Sequence, residues 1–140
     1  MIASINQRNP QRQIPHPDRD SVLIVDDTRS IQFLLKQYLR DSFKRIEVAN
    51  NGQEAVEKVF DPERIEHPYD LILMDLQMPV LSGYDAIAII REAEIETPII
   101  AVTAADTNNG RCQGLDCNCL VAKPIDRTHF LMCVRNLTQT

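Results

Sequence analysis

Val22-Leu23-Ile24-Val25-Asp26-Asp27 runs four apolar residues straight into two carboxylates. An apolar run of that length, with no polar alternation, reads as a strand covered on both faces, and the strand stops where the charges begin. Downstream, Ile31, Leu34, Leu35, Tyr38 and Leu39 fall at i, i+3, i+4, i+7 and i+8, one face of a helix over about 29 to 41. Upstream, residues 1–20 hold Pro10, Pro15 and Pro17 among Gln, Asn and Arg, with no periodic apolar face. They are expected to form a flexible leader ahead of one domain over 21–138.

The alternation continues along the chain. Ile46-Glu47-Val48-Ala49 reads as a second strand, and Asn51-x-x-Glu54 as a capping box for a helix through Ala55, Val56, Val59 and Phe60. Pro62 and Pro68 bracket what is expected to be a polar loop. Leu71-Ile72-Leu73-Met74 forms a third strand ending at Asp75, and a loop with Pro79 and Gly83 leads to a helix placing Tyr84, Ile87, Ala88 and Ile90 on its apolar side. Pro98 opens a fourth strand, Ile99 to Val102, ending at Thr103. Asn108-Asn109-Gly110 is poor helix material, so a helix in that crossover would be short or frayed. A fifth strand around Leu120 to Ala122 ends at Lys123-Pro124, and Asp126 caps a last helix with Phe130, Val134 and Leu137 on one face. Five buried strands alternating with five helices require a parallel sheet with helices on both faces, the doubly wound α/β class.

Composition agrees with that class. In 140 residues, 44% are hydrophobic and 25% charged, which suits one globular domain and excludes disorder throughout. Fifteen basic against 20 acidic side chains give a net charge of −5, which disfavours sequence-independent contact with nucleic acid. No apolar run approaches the roughly 18 residues of a membrane span, and no signal-type segment opens the chain, so a cytoplasmic protein is expected. Cys112, Cys117, Cys119 and Cys133 lack the paired spacing of structural zinc sites. They are expected to be reduced, packing thiols, with a redox role or a metal site, His129 included, as alternatives.

In open α/β sheets, ligands bind beyond the carboxyl ends of the strands. Those ends carry Asp26 and Asp27, Asp75, Thr103 and Lys123. An Asp after a strand is usually a turn residue, a Thr often satisfies its own loop, and a Lys is usually solvated. On one rim of one sheet they mean more. Three crowded carboxylates must bind protons, spread apart or hold a cation. An all-oxygen acidic site suits Mg²⁺, which commonly completes its shell with phosphate oxygens. Lys123 adds a compact positive charge and Thr103 a hydroxyl, the other groups a phosphoryl oxygen needs. The Asp75 carboxylate, already a nucleophile at neutral pH, can then attack phosphorus to form an aspartyl-phosphate. His16, His67 and His129 are expected to be structural or exposed.

The ordered set Val22-Leu23-Ile24-Val25-Asp26-Asp27, Asp70-Leu71-Ile72-Leu73-Met74-Asp75-Leu76-Gln77-Met78-Pro79 with Gly83, Pro98-Ile99-Ile100-Ala101-Val102-Thr103-Ala104 and Lys123-Pro124-Ile125 resembles the receiver domain of two-component response regulators, of the single-domain chemotaxis-regulator kind. The resemblance spans about 21 to 138. It implies the flavodoxin-like strand order 2-1-3-4-5. It implies a phosphoacceptor at Asp75, Mg²⁺ held by Asp27, Asp75 and the backbone carbonyl of Gln77 with help from Asp26, and phosphoryl contacts from Thr103 and Lys123. It also implies a cis Lys123–Pro124 bond and phosphate taken from a phosphohistidine on a histidine kinase or histidine phosphotransfer protein.

A phosphoacceptor switch acting on a protein partner, rather than an enzyme of steady turnover, is therefore expected. Slow loss of its own phosphoryl group is implied, with Gln77 tuning the rate. The chain is expected to be a stand-alone regulator, a phosphorelay intermediate or a piece of a larger protein. Two features depart from the family. Leu120 stands where an aromatic residue is common, and the stretch between Thr103 and Lys123 is about two residues short. They motivate an alternative, a receiver-fold interaction module that phosphorylation does not regulate. A Mg²⁺-dependent phosphatase would need a second acid two residues after the nucleophile, and Asp75-Leu76-Gln77 lacks it.

Overall fold

A computed structural model describes residues 21–104 and 114–138. The elements run β1 (Ser21–Val25), α1 (Arg29–Leu39), β2 (Arg45–Ala49), α2 (Gly52–Val59), α3 (Pro62–Glu66), β3 (Leu71–Asp75), α4 (Gly83–Glu92), β4 (Ile99–Thr103), β5 (Cys119–Ala122) and α5 (Arg127–Thr138). The five strands form one sheet in the order β2-β1-β3-β4-β5, every pair parallel. This is the expected doubly wound class and order. The expected weak helix around Asn108-Asn109-Gly110, the leader over 1–20 and Cys112 lie outside the described residues.

Side chains of the central strands alternate between two cores. Leu23, Val25, Ile72, Met74, Ile99 and Ala101 pack beneath α2 and α4, whereas Val22, Ile24, Leu71, Leu73, Ile100 and Val102 pack beneath α1 and α5. Because adjacent residues point to opposite faces, burial on both sides explains why these strands are apolar at every position. The apolar face expected of the first helix is the face that packs, with Leu35 and Leu39 fully enclosed.

Three local expectations change. The segment between Pro62 and Pro68 is the helix α3, begun by Pro62 and capped by Asp61, whose carboxylate accepts from the Glu63 N–H at 2.9 Å. Its Arg64 is buried against Glu47 and over the Tyr69 ring, 4.3 Å from the centroid, and also reaches Ser21 Oγ. That tertiary anchor holds a helix too short to persist alone. On α4, Ala86 is buried and Ala88 exposed, because Gly83, Tyr84, Ile87 and Ile90 set the inward face one step away from Ala88. At the start of α2, Asn51 caps the Glu54 N–H as expected, but Glu54 returns its carboxylate to the Asn50 N–H.

Candidate functional site

Parallel pairing in register brings the carboxyl ends of β1, β3, β4 and β5 to one rim. Val25 is level with Met74, Asp75 with Val102, and Thr103 with Ala122. Asp26, Asp75, Thr103 and Lys123 therefore converge although 97 residues separate the first from the last. The loops are held close: the Asp26 N–H donates to Ala49 O at 3.1 Å, Leu76 N–H to Val102 O at 2.9 Å and Lys123 N–H to Thr103 O at 2.8 Å. The Lys123–Pro124 bond is cis.

Oxygens of Asp26, Asp27 and Asp75 lie within 4.8 Å of one another, a spacing that one cation can span. Asp26 and Asp75 are buried, while Asp27 is exposed. Lys123 Nζ sits 3.3 Å from Asp26 Oδ2 and 3.4 Å from Asp75 Oδ2, so one ammonium partly neutralises both buried acids. Asp26 Oδ1 accepts from the Thr28 N–H at 2.8 Å, and Asp75 Oδ1 accepts from the Gln77 N–H at 3.1 Å. The Gln77 side chain is exposed, and Thr103 is wholly buried at the end of β4. Burial pushes the Asp75 carboxyl above its ordinary range, and the charge of Asp26 pushes it further; the Gln77 N–H and Lys123 partly offset both. An acid so placed is a better base and a better cation ligand than a solvated one. Asp26, Asp27, Asp75, Thr103 and Lys123, the five residues expected at the strand ends, lie along this rim, and Gln77 follows in the loop two residues after Asp75.

One residue was not foreseen, and another, Gly83, has a role beyond the loop it was expected in. Gln32 Nε2 donates to the Asp26 carbonyl at 2.6 Å and to Asn50 Oδ1 at 2.9 Å, tying α1 and the end of β2 to the loop carrying the acids. The only sequence signal was a polar side chain one turn into α1. Gly83 also matters beyond its turn. A Cβ there would lie 2.1 Å from Asp75 O and 2.8 Å from Leu76 Cα, so its absence is what lets α4 start against the end of β3.

The family model described as response regulator receiver domain matches residues 22–135. The transcriptional regulatory protein ResD of Bacillus subtilis is 36% identical over 118 residues, covering 83% of this chain and 47% of that protein. The chain spans no more than about half the length of the curated relatives it matches. Among solved structures, the receiver domain of the sensor histidine kinase PA1611 from Pseudomonas aeruginosa PAO1, with magnesium coordinated in its active-site cleft, is 29% identical with a TM-score of 0.73, covering 87% of this chain and 99% of that one. The co-crystal of the Saccharomyces cerevisiae phosphotransfer protein Ypd1 with the receiver domain of Ssk1 supplies a chain 29% identical with a TM-score of 0.70, covering 86% of this chain and 89% of that one. With the sheet order, the acidic rim and these matches in agreement, the chain belongs to the response regulator receiver domain family of two-component signalling.

Proposed function

We propose that this receiver accepts a phosphoryl group on Asp75 from a phosphohistidine and thereby switches its contact with a protein partner. The observation that carries the proposal is the grouping of three carboxylates within 4.8 Å with one ammonium shared by two of them. The receiver unit is the stretch 21–138, and its donor is a histidine kinase or histidine phosphotransfer protein, supported by the likeness to a chain of the Ypd1–Ssk1 co-crystal. The net charge of −5 favours protein over nucleic acid as the output partner.

The donor set, hard oxygens from Asp26, Asp27 and Asp75, fits Mg²⁺, with the Gln77 backbone carbonyl as a further ligand. Mg²⁺, when bound, offsets negative charge on the transferring phosphoryl oxygens. The chain does the rest. Asp75 supplies the attacking oxygen, and as its bond to phosphorus forms, the phosphorus–nitrogen bond to the donor histidine breaks. The Gln77 N–H fixes the orientation of the attacking carboxylate. Lys123, already beside Asp75, pairs with the incoming charge, and the Thr103 hydroxyl donates to a phosphoryl oxygen. Those new contacts are present only in the phosphorylated state, so they bias the equilibrium between two conformations. The exposed Gln77 side chain stands at the pocket edge, where it tunes water access to the product.

Acetyl phosphate with Mg²⁺ tests the assignment. Wild type should gain the mass of one phosphoryl group, labile to hydroxylamine, and Asp75→Asn should gain none. A wild-type protein that stays unmodified, or a variant that is modified equally, defeats it.

A further inference from the structure

A second group of reactive side chains lies where β5 meets α5. Cys119, the first residue of β5, and Cys133, in the second turn of α5, place their sulfurs 2.7 Å apart, with the Cys119 S–H donating to Cys133 Sγ. That separation is only about 0.7 Å longer than a sulfur–sulfur bond. Cys133 Sγ also lies 3.9 Å from His129 Nε2, one turn earlier on the helix. Packing alone does not require two sulfurs to face each other, since each thiol touches an apolar cluster that would accept any small side chain. A metal does not explain the pair either: among the described residues, the ligand atoms close enough to hold one belong to Asp26, Asp27 and Asp75. The pair stands apart from that pocket, about 13 Å from Lys123 along β5.

We propose that Cys119 and Cys133 are a redox-modification site that closes into an intramolecular disulfide, stapling the edge strand β5 to α5. Glutathione disulfide, or another small disulfide, is the oxidant. One sulfur–sulfur bond forms in the protein, that of glutathione disulfide breaks, and the two thiol hydrogens pass to the two glutathione sulfurs released. Burial pushes the Cys119 thiol up to about 12, helped by its hydrogen bond to Cys133 and by Cys117 nearby, so Cys119 rests as the thiol. The site therefore responds to redox poise over long exposure rather than to brief bursts of oxidant.

The full chain is equilibrated in buffers of graded glutathione disulfide over glutathione, quenched with acid, alkylated and digested without reduction. The expected result is a loss of two hydrogens, one cross-linked peptide pair joining Cys119 to Cys133, and a Tm raised by roughly 10 °C for a loop of this length. Cys117→Ser should retain the cross-link, which keeps the test independent of any variant at the pair itself. Glutathione adducts alone, a cross-link that uses Cys112 or Cys117 instead, or free thiols in the most oxidising buffer overturn the proposal.

Discussion

Replacing Gly83 with alanine puts a methyl group into backbone. The added Cβ would sit 2.1 Å from Asp75 O, 2.8 Å from Leu76 Cα and 2.9 Å from Asp75 C, and none of these atoms can rotate away. To reach even 3.0 Å from the carbonyl, the shortest approach real side chains make, α4 or the end of β3 must retreat by 0.9 Å. Overpacking of this kind costs about 2–3 kcal/mol, a fall in Tm of roughly 10 °C for a domain of this size. The displaced atoms belong to Asp75, the proposed phosphoacceptor, and to Leu76 beside it, and a shift near 1 Å at a reacting group lowers a rate by about 100-fold. Gly52→Ala separates the two effects. Its Cβ would meet Leu81 O at 2.3 Å, in the loop before α4, so it should cost similar stability but slow phosphorylation less than about tenfold. Urea unfolding and the rate of acetyl phosphate-dependent mass gain are measured on both variants. Wild-type behaviour of Gly83→Ala, or equal slowing by both variants, would refute the reasoning, since the loss would then follow stability and not the position of Asp75.

Two further outcomes concern stability. Burial pushes the Glu47 carboxyl up, but hydrogen bonds from Tyr69 and Arg64 outweigh it and hold the group below its ordinary value. The stabilisation is present above that ordinary value and lost as pH falls through the lowered one. Glu47→Gln should therefore cost about 1–2 kcal/mol at neutral pH, with the gap to wild type closing in acid; urea midpoints that differ equally at all pH values would contradict this. Val80 is 80% exposed with φ of 73°, a left-handed conformation a β-branched residue rarely adopts. Val80→Gly should raise stability by about 0.5–1 kcal/mol, the relief of that conformation less the entropy of glycine, and a lowered denaturant midpoint would show the strain is absent.

Much of the candidate site was legible because most of its residues stand at or just after the end of a strand, and an apolar run broken by a charge is a local pattern. Asp26-Asp27, Asp75, Thr103 and Lys123 were all read that way, and all sit on the rim. Gln32 was not legible, because its value lies in touching the Asp26 carbonyl and Asn50, two groups on other elements. The helix at Pro62–Glu66 was hidden for a similar reason. Its Asp61 cap and first-turn proline were present, but what stabilises it is Arg64 reaching Glu47 and Ser21, across 17 and 43 residues.

Sequence by itself determined the alternation of strands and helices, the burial of the sheet on both faces and which residues end each strand, because periodicity and charge placement are properties of neighbours along the chain. Tertiary structure decided that Lys123 is shared between Asp26 and Asp75, that Gly83 gives up its side chain to Asp75, and that Cys119 faces Cys133. These depend on distances between elements, which register and packing set only after the chain has folded.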